Sequence, residues 1–336
     1  MAHVAFLIDP IATLDLKKDS TLAMVRAALR RGWRVSCFEQ GDLAWRNDAP
    51  RAILRELSLD AGFLEALDPE RAPARWHELG TPEEVDFSSV DLVMMRKDPP
   101  FDMEYIYATY FLEHIQARGT PVVNDPRSLR DCNEKFFATW FADCTPPLVI
   151  TRRAERLLDF HAEHGDVVFK PLDGMGGTNI FRARPDDPNL RVIIENLTDL
   201  GRRQIMAQRY LPDIVDGDKR ILLIDGEPVN YALARIPQQG ESRGNLAAGG
   251  AGVGRPLTDR DRFIAGQVGP ELARRGILFA GIDVIGDYLT EINVTCPTCI
   301  RELDAQFSLD IGGMLMDRLA ERFGLSRGGG GGGGGR

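Results

Sequence analysis

A chain of 336 residues, 43% apolar and 27% charged, is long enough to bury about three quarters of its unfolded surface in two or three domains. No uncharged apolar run reaches the roughly 18 residues of a membrane span, and a net charge of −9 argues against a general nucleic-acid binder. Five cysteines, at 37, 132, 144, 296 and 299, are an odd and scattered set, which argues against a disulfide framework and for a reducing cytoplasm.

The apolar stretch Val4-Ala5-Phe6-Leu7-Ile8 has no basic flank and ends in Asp9-Pro10, so it reads as a buried first strand and not as a signal peptide. Asp19-Ser20 offers an N-cap to a helix carrying Leu22, Val25 and Leu29 on one face, and Gly32 stops it. Strands at 33–38 and 91–95, an amphipathic run at 104–118 and a strand at 121–123 complete an alternation that predicts a parallel sheet wound on both faces. Residues 41–88 are weakly periodic and rich in Asp, Glu, Arg and Pro, and read as a helical excursion or a long surface loop. From about 126 onward short strands joined by tight turns such as Ile224-Asp225-Gly226-Glu227 predict an α+β domain with an antiparallel sheet. The expected units are 1–124, 125–325 and a glycine-rich tail at 326–336 that cannot bury anything.

Three stretches carry chemistry. In Val168-Phe169-Lys170-Pro171-Leu172-Asp173-Gly174-Met175-Gly176-Gly177, a lysine ends a strand and glycines bare the backbone N–H groups that cradle phosphate oxygens. The residues after the glycines read as strand, so the pattern is neither a P-loop nor a dinucleotide fingerprint; it suits a flap over a nucleotide, or a hairpin with no ligand. Next, 277–285 and 289–294 flank Gly286-Asp287-Tyr288, and the apolar pattern selects a three-residue loop pairing Ile285 with Leu289. Asp283 then stands across from Glu291 with Asn293 two residues along, an oxygen set that suits Mg²⁺ or a polar cluster at a sheet rim. Finally, 237–256 shows no strand or helix signal and carries Arg243 and Asn245, which favours a lid. Lys135, Arg220, Arg235, and Arg96 and Lys97 at a strand end are further cations for an anionic ligand.

Taken in order, Ile8-Asp9-Pro10-Ile11 with Lys17-Lys18-Asp19-Ser20, MRKDPPFD at 95–102, SLRDCNEK at 128–135, KPLDGMGG at 170–177, AQRYLP at 207–212, DGDKR at 216–220, RGNLAAGG at 243–250 and TEINVT at 290–295 resemble the prokaryotic-type glutathione synthetases of the ATP-grasp superfamily. The resemblance runs from about residue 3 to 323. It implies a Rossmann-like, pre-ATP-grasp parallel-sheet domain followed by an α+β ATP-grasp domain, and a cytoplasmic ligase joining γ-glutamylcysteine to glycine with ATP through an acyl phosphate. It places Lys135 and Lys170 on the nucleotide phosphates under a flap of Gly174, Met175, Gly176 and Gly177. Gln208, Arg209, Tyr210 and Leu211 match the adenine hinge, with Asp218 near the ribose. Asp283, Glu291 and Asn293 match ligands of Mg²⁺, or Mn²⁺. Arg220, Arg235 and Asn245 fall at the acyl phosphate, and Lys18, Arg96 and Arg243 on the substrate side. Small-molecule substrates, no nucleic acid, no membrane and a homo-oligomer, dimer or tetramer, are expected. The family commonly has serine where this chain has Cys296. Another ATP-grasp carboxylate-amine (dipeptide) ligase is the alternative enzyme, and a redox or zinc protein using Cys296 and Cys299 the non-ligase alternative.

Overall fold

The computed structural model of the chain describes residues 1–68, 70, 72–238 and 251–326. The chain opens with β1 (His3–Leu7), whose five residues are all buried because both faces are covered. Ala5 and Leu7 point into one core and Val4 and Phe6 into another. After α1 (Ser20–Arg30), whose first turn is capped by the Asp19 carboxylate accepting from the Leu22 N–H at 2.9 Å, comes β2 (Arg34–Phe38).

The described residues of 41–88 form four strands and one short helix, correcting the expected helical excursion or loop. They form β3 (Leu43–Arg46), β4 (Ala49–Leu59), the short α2 (Ala61–Ala66), β5 (His77–Leu79) and β6 (Glu83–Val85). The eleven-residue β4 buries Ala52 and Leu54 in one core and Leu57 and Leu59 in the other, so its two halves present opposite faces. A strand that changes its buried face midway shows no continuous period of two, which is why it reads as loop. Then come β7 (Leu92–Met95), α3 (Met103–Ala117), β8 (Val122–Val123) and α4 (Pro126–Asp131). Strands β2, β1, β7 and β8 run parallel, and β4 joins β2 antiparallel.

A second, antiparallel sheet is made of β9 (Leu148–Thr151), β10 (Val167–Pro171), β11 (Phe181–Ala183) and β12 (Ile205–Arg209), in the order β11-β10-β12-β9. Helices α5 (Ala154–His164) and α6 (Leu190–Leu197) cover one face over Phe169, Ile205 and Ala207. Alternation therefore turns Val168, Lys170 and Gln208 to the other face.

The third sheet, β15-β14-β13-β16-β17, is built from β13 (Asp218–Ile224), β14 (Glu227–Ile236), β15 (Ala251–Pro256) and, after α7 (Asp259–Arg274), β16 (Phe279–Ile285) and β17 (Tyr288–Asn293). Strand β15 corrects the expectation that 237–256 lacks regular structure. Its glycines fit close neighbours: a Cβ on Gly254 would stand 2.2 Å from the Phe307 ring. Residues 239–250, with Arg243 and Asn245, lie outside the described residues.

The β16–β17 hairpin corrects the expected turn. Ile285 pairs with Tyr288 across a two-residue turn, Val284 with Leu289, and a bulge then brings Asp283 opposite Glu291. The extra residue, Thr290, donates its hydroxyl to the Asp283 carbonyl at 3.2 Å. A bulge inserts one residue and flips the face of the residues beyond it. Leu289 and Ile292 can therefore both enter the core while Glu291 and Asn293 look the other way.

The chain ends with α8 (Ile300–Phe307) and α9 (Ile311–Phe323), the latter packed on α1 so closely that a Cβ on Gly312 would stand 2.7 Å from the Ala23 carbonyl oxygen. Two of the hydrophobic cores draw side chains from both sides of residue 124. No described helix is long and apolar enough to cross a membrane.

Candidate active site

A cavity of about 590 Å³ opens where the inner face of the second sheet meets the polar end of the third, with the ends of β1 and β7 at its far side. Its floor is a ladder row. Arg220 on β13 pairs with Asp283 on β16, which pairs with Glu291 on β17. Gly281 leaves room for this: a Cβ there would stand 2.6 Å from Arg220 Cδ. The Arg220 guanidinium donates to both Asp283 oxygens, Nη2 at 2.9 Å from Oδ2. Arg235 Nη2 bridges Asp283 Oδ2 at 2.8 Å and Asp218 Oδ2 at 2.6 Å. Burial alone would raise the Asp283 pKa; the two arginines outweigh it and hold the carboxyl well below the usual range.

Lys135 Nζ donates to Glu291 Oε1 at 2.8 Å and to the Gly174 carbonyl at 2.5 Å, tying the glycine loop to β17. Burial would lower its pKa, but Glu291 reverses this and the ammonium is held above its ordinary value. Lys170 is different. It is 8% exposed, and burial, against the pull of Glu291 and with the push of Lys135, lowers it to about 8. Two buried polar atoms on the cavity wall, Gln208 Oε1 and Asp218 Oδ1, have no hydrogen-bond partner among the described residues.

Of the residues expected from sequence, Lys18, Lys135, Lys170, Gly174, Met175, Gly176, Gly177, Gln208, Arg209, Tyr210, Leu211, Asp218, Arg220, Arg235, Glu291 and Asn293 all line this one cavity. Asp283 lies beneath it, 2% exposed. Arg96 is not brought to the wall: its guanidinium is buried, donating to Thr21 Oγ1 at 3.2 Å and to the Pro297 carbonyl at 3.1 Å. In the hinge, the Arg209 and Tyr210 N–H groups are taken by the Pro147 and Asp166 carbonyls, at 3.0 and 2.9 Å. Cys296 and Cys299 also line the cavity as free thiols, and burial raises both pKa values. Among the described residues no three His, Cys, Asp or Glu side chains gather as a metal site, so the zinc alternative lacks its remaining ligands.

The chain matches the prokaryotic glutathione synthetase N-terminal domain over residues 2–130 and the ATP-grasp domain of the same enzymes over 134–308. The chain belongs to the prokaryotic glutathione synthetase family. The glutathione synthetase of Pseudomonas putida is 58% identical over 317 residues, covering 94% of this chain and 97% of that protein. Among solved structures, D-cycloserine synthetase DcsG superposes with a TM-score of 0.65 at 16% identity, covering 95% of this chain and 99% of that one. An ATP-grasp ligase from Chryseobacterium gregarium reaches 0.65 at 17%, covering 96% and 97%. At such identity these two speak to the fold, which is the ATP-grasp fold.

Two residues of this family fold carry more than their sequence context suggests. Glu134 lies between two residues whose side chains face the glycine loop, yet turns its own carboxylate to residues 294–295. Asn124, after β8, donates to the Phe279 and Val294 carbonyls, each at 2.8 Å, and accepts from the Leu278 and Phe279 N–H groups at 2.9 and 3.0 Å. The local signal is a polar residue after an apolar run in TPVVN and a glutamate among polar neighbours in DCNEK, and no spacing rule names the distant partner.

Proposed function

We propose that the chain ligates glycine to the cysteine carboxylate of γ-glutamylcysteine, giving glutathione, ADP and phosphate. The observation that carries this is the convergence of Lys135, Lys170, Arg220 and Arg235 with Glu291 and Asn293 in one cavity beneath a glycine loop. Phosphoryl transfer needs positioning and neutralisation of charge more than covalent help, and this wall supplies both. The adenine fits the apolar end formed by Val168, Ile180, Leu211 and Ile285. Lys135 and Lys170 meet the phosphates, and Arg220 and Arg235 steady the charge that builds up as the carboxylate attacks the γ-phosphate. The glycine amine then displaces phosphate from the acyl phosphate.

A divalent cation fits the oxygen donors present. Glu291 is on the cavity wall, and Asn293 commits its amide N–H to the Gly281 carbonyl at 3.1 Å, which leaves its oxygen for a cation. Glu291 and Asn293 would hold Mg²⁺, and the ion would neutralise the phosphate oxygens; Asp283, matched to the metal by resemblance, lies beneath them with both oxygens held by Arg220 and Arg235. Mn²⁺ satisfies the same donors.

The test is ADP formation by the purified chain with ATP, γ-glutamylcysteine and glycine, each omitted in turn. Turnover is expected to need all three. Turnover with other dipeptides or amines, but not with this pair, would assign the chain to another carboxylate-amine ligase.

A further inference from the structure

Three adjacent residues, Asn133, Glu134 and Lys135, divide their side chains between two segments, the glycine loop and residues 294–295. Asn133 Nδ2 donates to the Leu172 carbonyl at 3.0 Å and Lys135 Nζ to the Gly174 carbonyl, so both hold the glycine loop. Glu134 does not touch that loop. Its Oε1 accepts from the Val294 N–H at 2.9 Å, the Thr295 N–H at 3.1 Å and the Thr295 hydroxyl at 2.9 Å. Three donors on one carboxylate oxygen fix the backbone where β17 ends, immediately after Asn293 and before Cys296. Thr295, Cys296, Thr298 and Cys299 form the cavity wall between the cationic centre and the outer end lined by Lys18, Asp19 and Asp98. The backbone of the same residue works on the other side: the Glu134 carbonyl accepts from the Ile292 N–H at 2.9 Å.

We propose that Glu134 is a positioning residue that sets the 294–299 wall against which the dipeptide lies. This rests on the ligase reading of the cavity. A buried carboxylate beside Glu291 is costly, and burial and that neighbour both raise its pKa, so the charge itself is a poor reason for a glutamate here. What the site uses is an acceptor oxygen on a side chain of this length. The consequence is a division of labour: the Glu134 side chain governs the dipeptide, while its neighbours govern the nucleotide.

Steady-state kinetics on the full chain separate these roles. In Glu134→Ala the KM for γ-glutamylcysteine is expected to rise about tenfold, the size of one or two lost buried hydrogen bonds, with the KM for ATP within about twofold of the unmodified chain. Glu134→Gln keeps the acceptor oxygen and is expected to restore the dipeptide KM to within about threefold, a rescue that a role for the charge does not allow. An unchanged dipeptide KM in Glu134→Ala, or dipeptide and ATP KM values rising together, overturns the proposal. Where Glu134→Ala fails to fold, Thr295→Val decides. It removes one donor to the same oxygen and is expected to raise the dipeptide KM about threefold, and no change overturns the assignment. No glycine-dependent ADP formation by the unmodified chain overturns the ligase reading and this inference together, whereas intact activity with an unaltered dipeptide KM in the variants overturns this inference alone.

Discussion

Lys170 shows most directly how a single residue is set for its task. Its ammonium sits nearly sealed from water with no hydrogen-bonded partner carboxylate among the described residues, and its pKa falls to about 8. In the unfolded chain it titrates near the ordinary lysine value, so between about pH 8 and 10.5 the unfolded state binds more protons, and this group's contribution to stability rises with pH across that window. Below pH 8 the cost of the buried charge is present in full. Lys170→Met is therefore expected to stabilise the ligand-free chain by about 1–3 kcal/mol at pH 7 while removing most of the thermal shift given by ATP. Differential scanning fluorimetry with and without nucleotide checks both signs. Phosphates placed beside Lys170, as proposed, would favour the charged form, so ATP binding at pH 8.5 is expected to take up a fraction of a proton that it does not take up at pH 6.5. Calorimetry in two buffers of different ionisation enthalpy measures that uptake. The lysine and glycines of this loop are legible in the sequence because they are chemically conspicuous and contiguous. The partners of Asp283 are not, because Arg220 and Arg235 approach it from strands 48 to 63 residues away.

Among the elements, those with one buried face read most clearly. The flap strands β10 and β11 and the facing of Asp283 to Glu291 come from apolar alternation. The turn beside them is misread from sequence because a simple ladder cannot place both Leu289 and Ile292 inward, and a lengthened loop satisfies the pattern where the chain uses a bulge. Strand β4 defeats the same method by burying opposite faces in its two halves. Strand β15 hides behind its glycines, which mark loops in most settings and here mark close approach. Its contact with α8 is specific: the Gly254 N–H donates to Gln306 Oε1 at 2.7 Å, and Phe307 stacks on Tyr231 with centroids 3.8 Å apart. Gly254→Ala is expected to push the Phe307 ring off this stack and cost about 1–3 kcal/mol, read as a fall in the denaturation midpoint at unchanged slope. A variant as stable as the parent would mean that the ring moves freely and that β15 is not anchored there.

At the scale of the whole molecule, the cavity has walls from both ends of the chain. Asp98 and Pro99 come from the first sheet's side and Lys135, Lys170 and Glu291 from the other. Its shape therefore depends on how the first sheet is fastened to the third. Asn124 is one such fastening: its buried amide makes four hydrogen bonds to the backbone of Leu278 and Phe279 at the start of β16 and of Val294 after β17, using both donors and both acceptor positions. One of its acceptors is the Val294 carbonyl, at the base of the 294–299 wall. Asn124→Ala leaves buried backbone groups of Leu278, Phe279 and Val294 without this partner, at a cost of about 1–3 kcal/mol for each group that water cannot reach. The expected result is a loss of at least about 3 kcal/mol by urea denaturation. It is accompanied by a rise in the dipeptide KM at temperatures where the variant remains folded, because the wall loses its reference to the first sheet. Asn124→Asp keeps the two acceptor functions and loses the two donations, so its loss is expected to fall short of complete recovery. Stability lost with the dipeptide KM unmoved would show that the amide fastens the sheets without aligning the cavity.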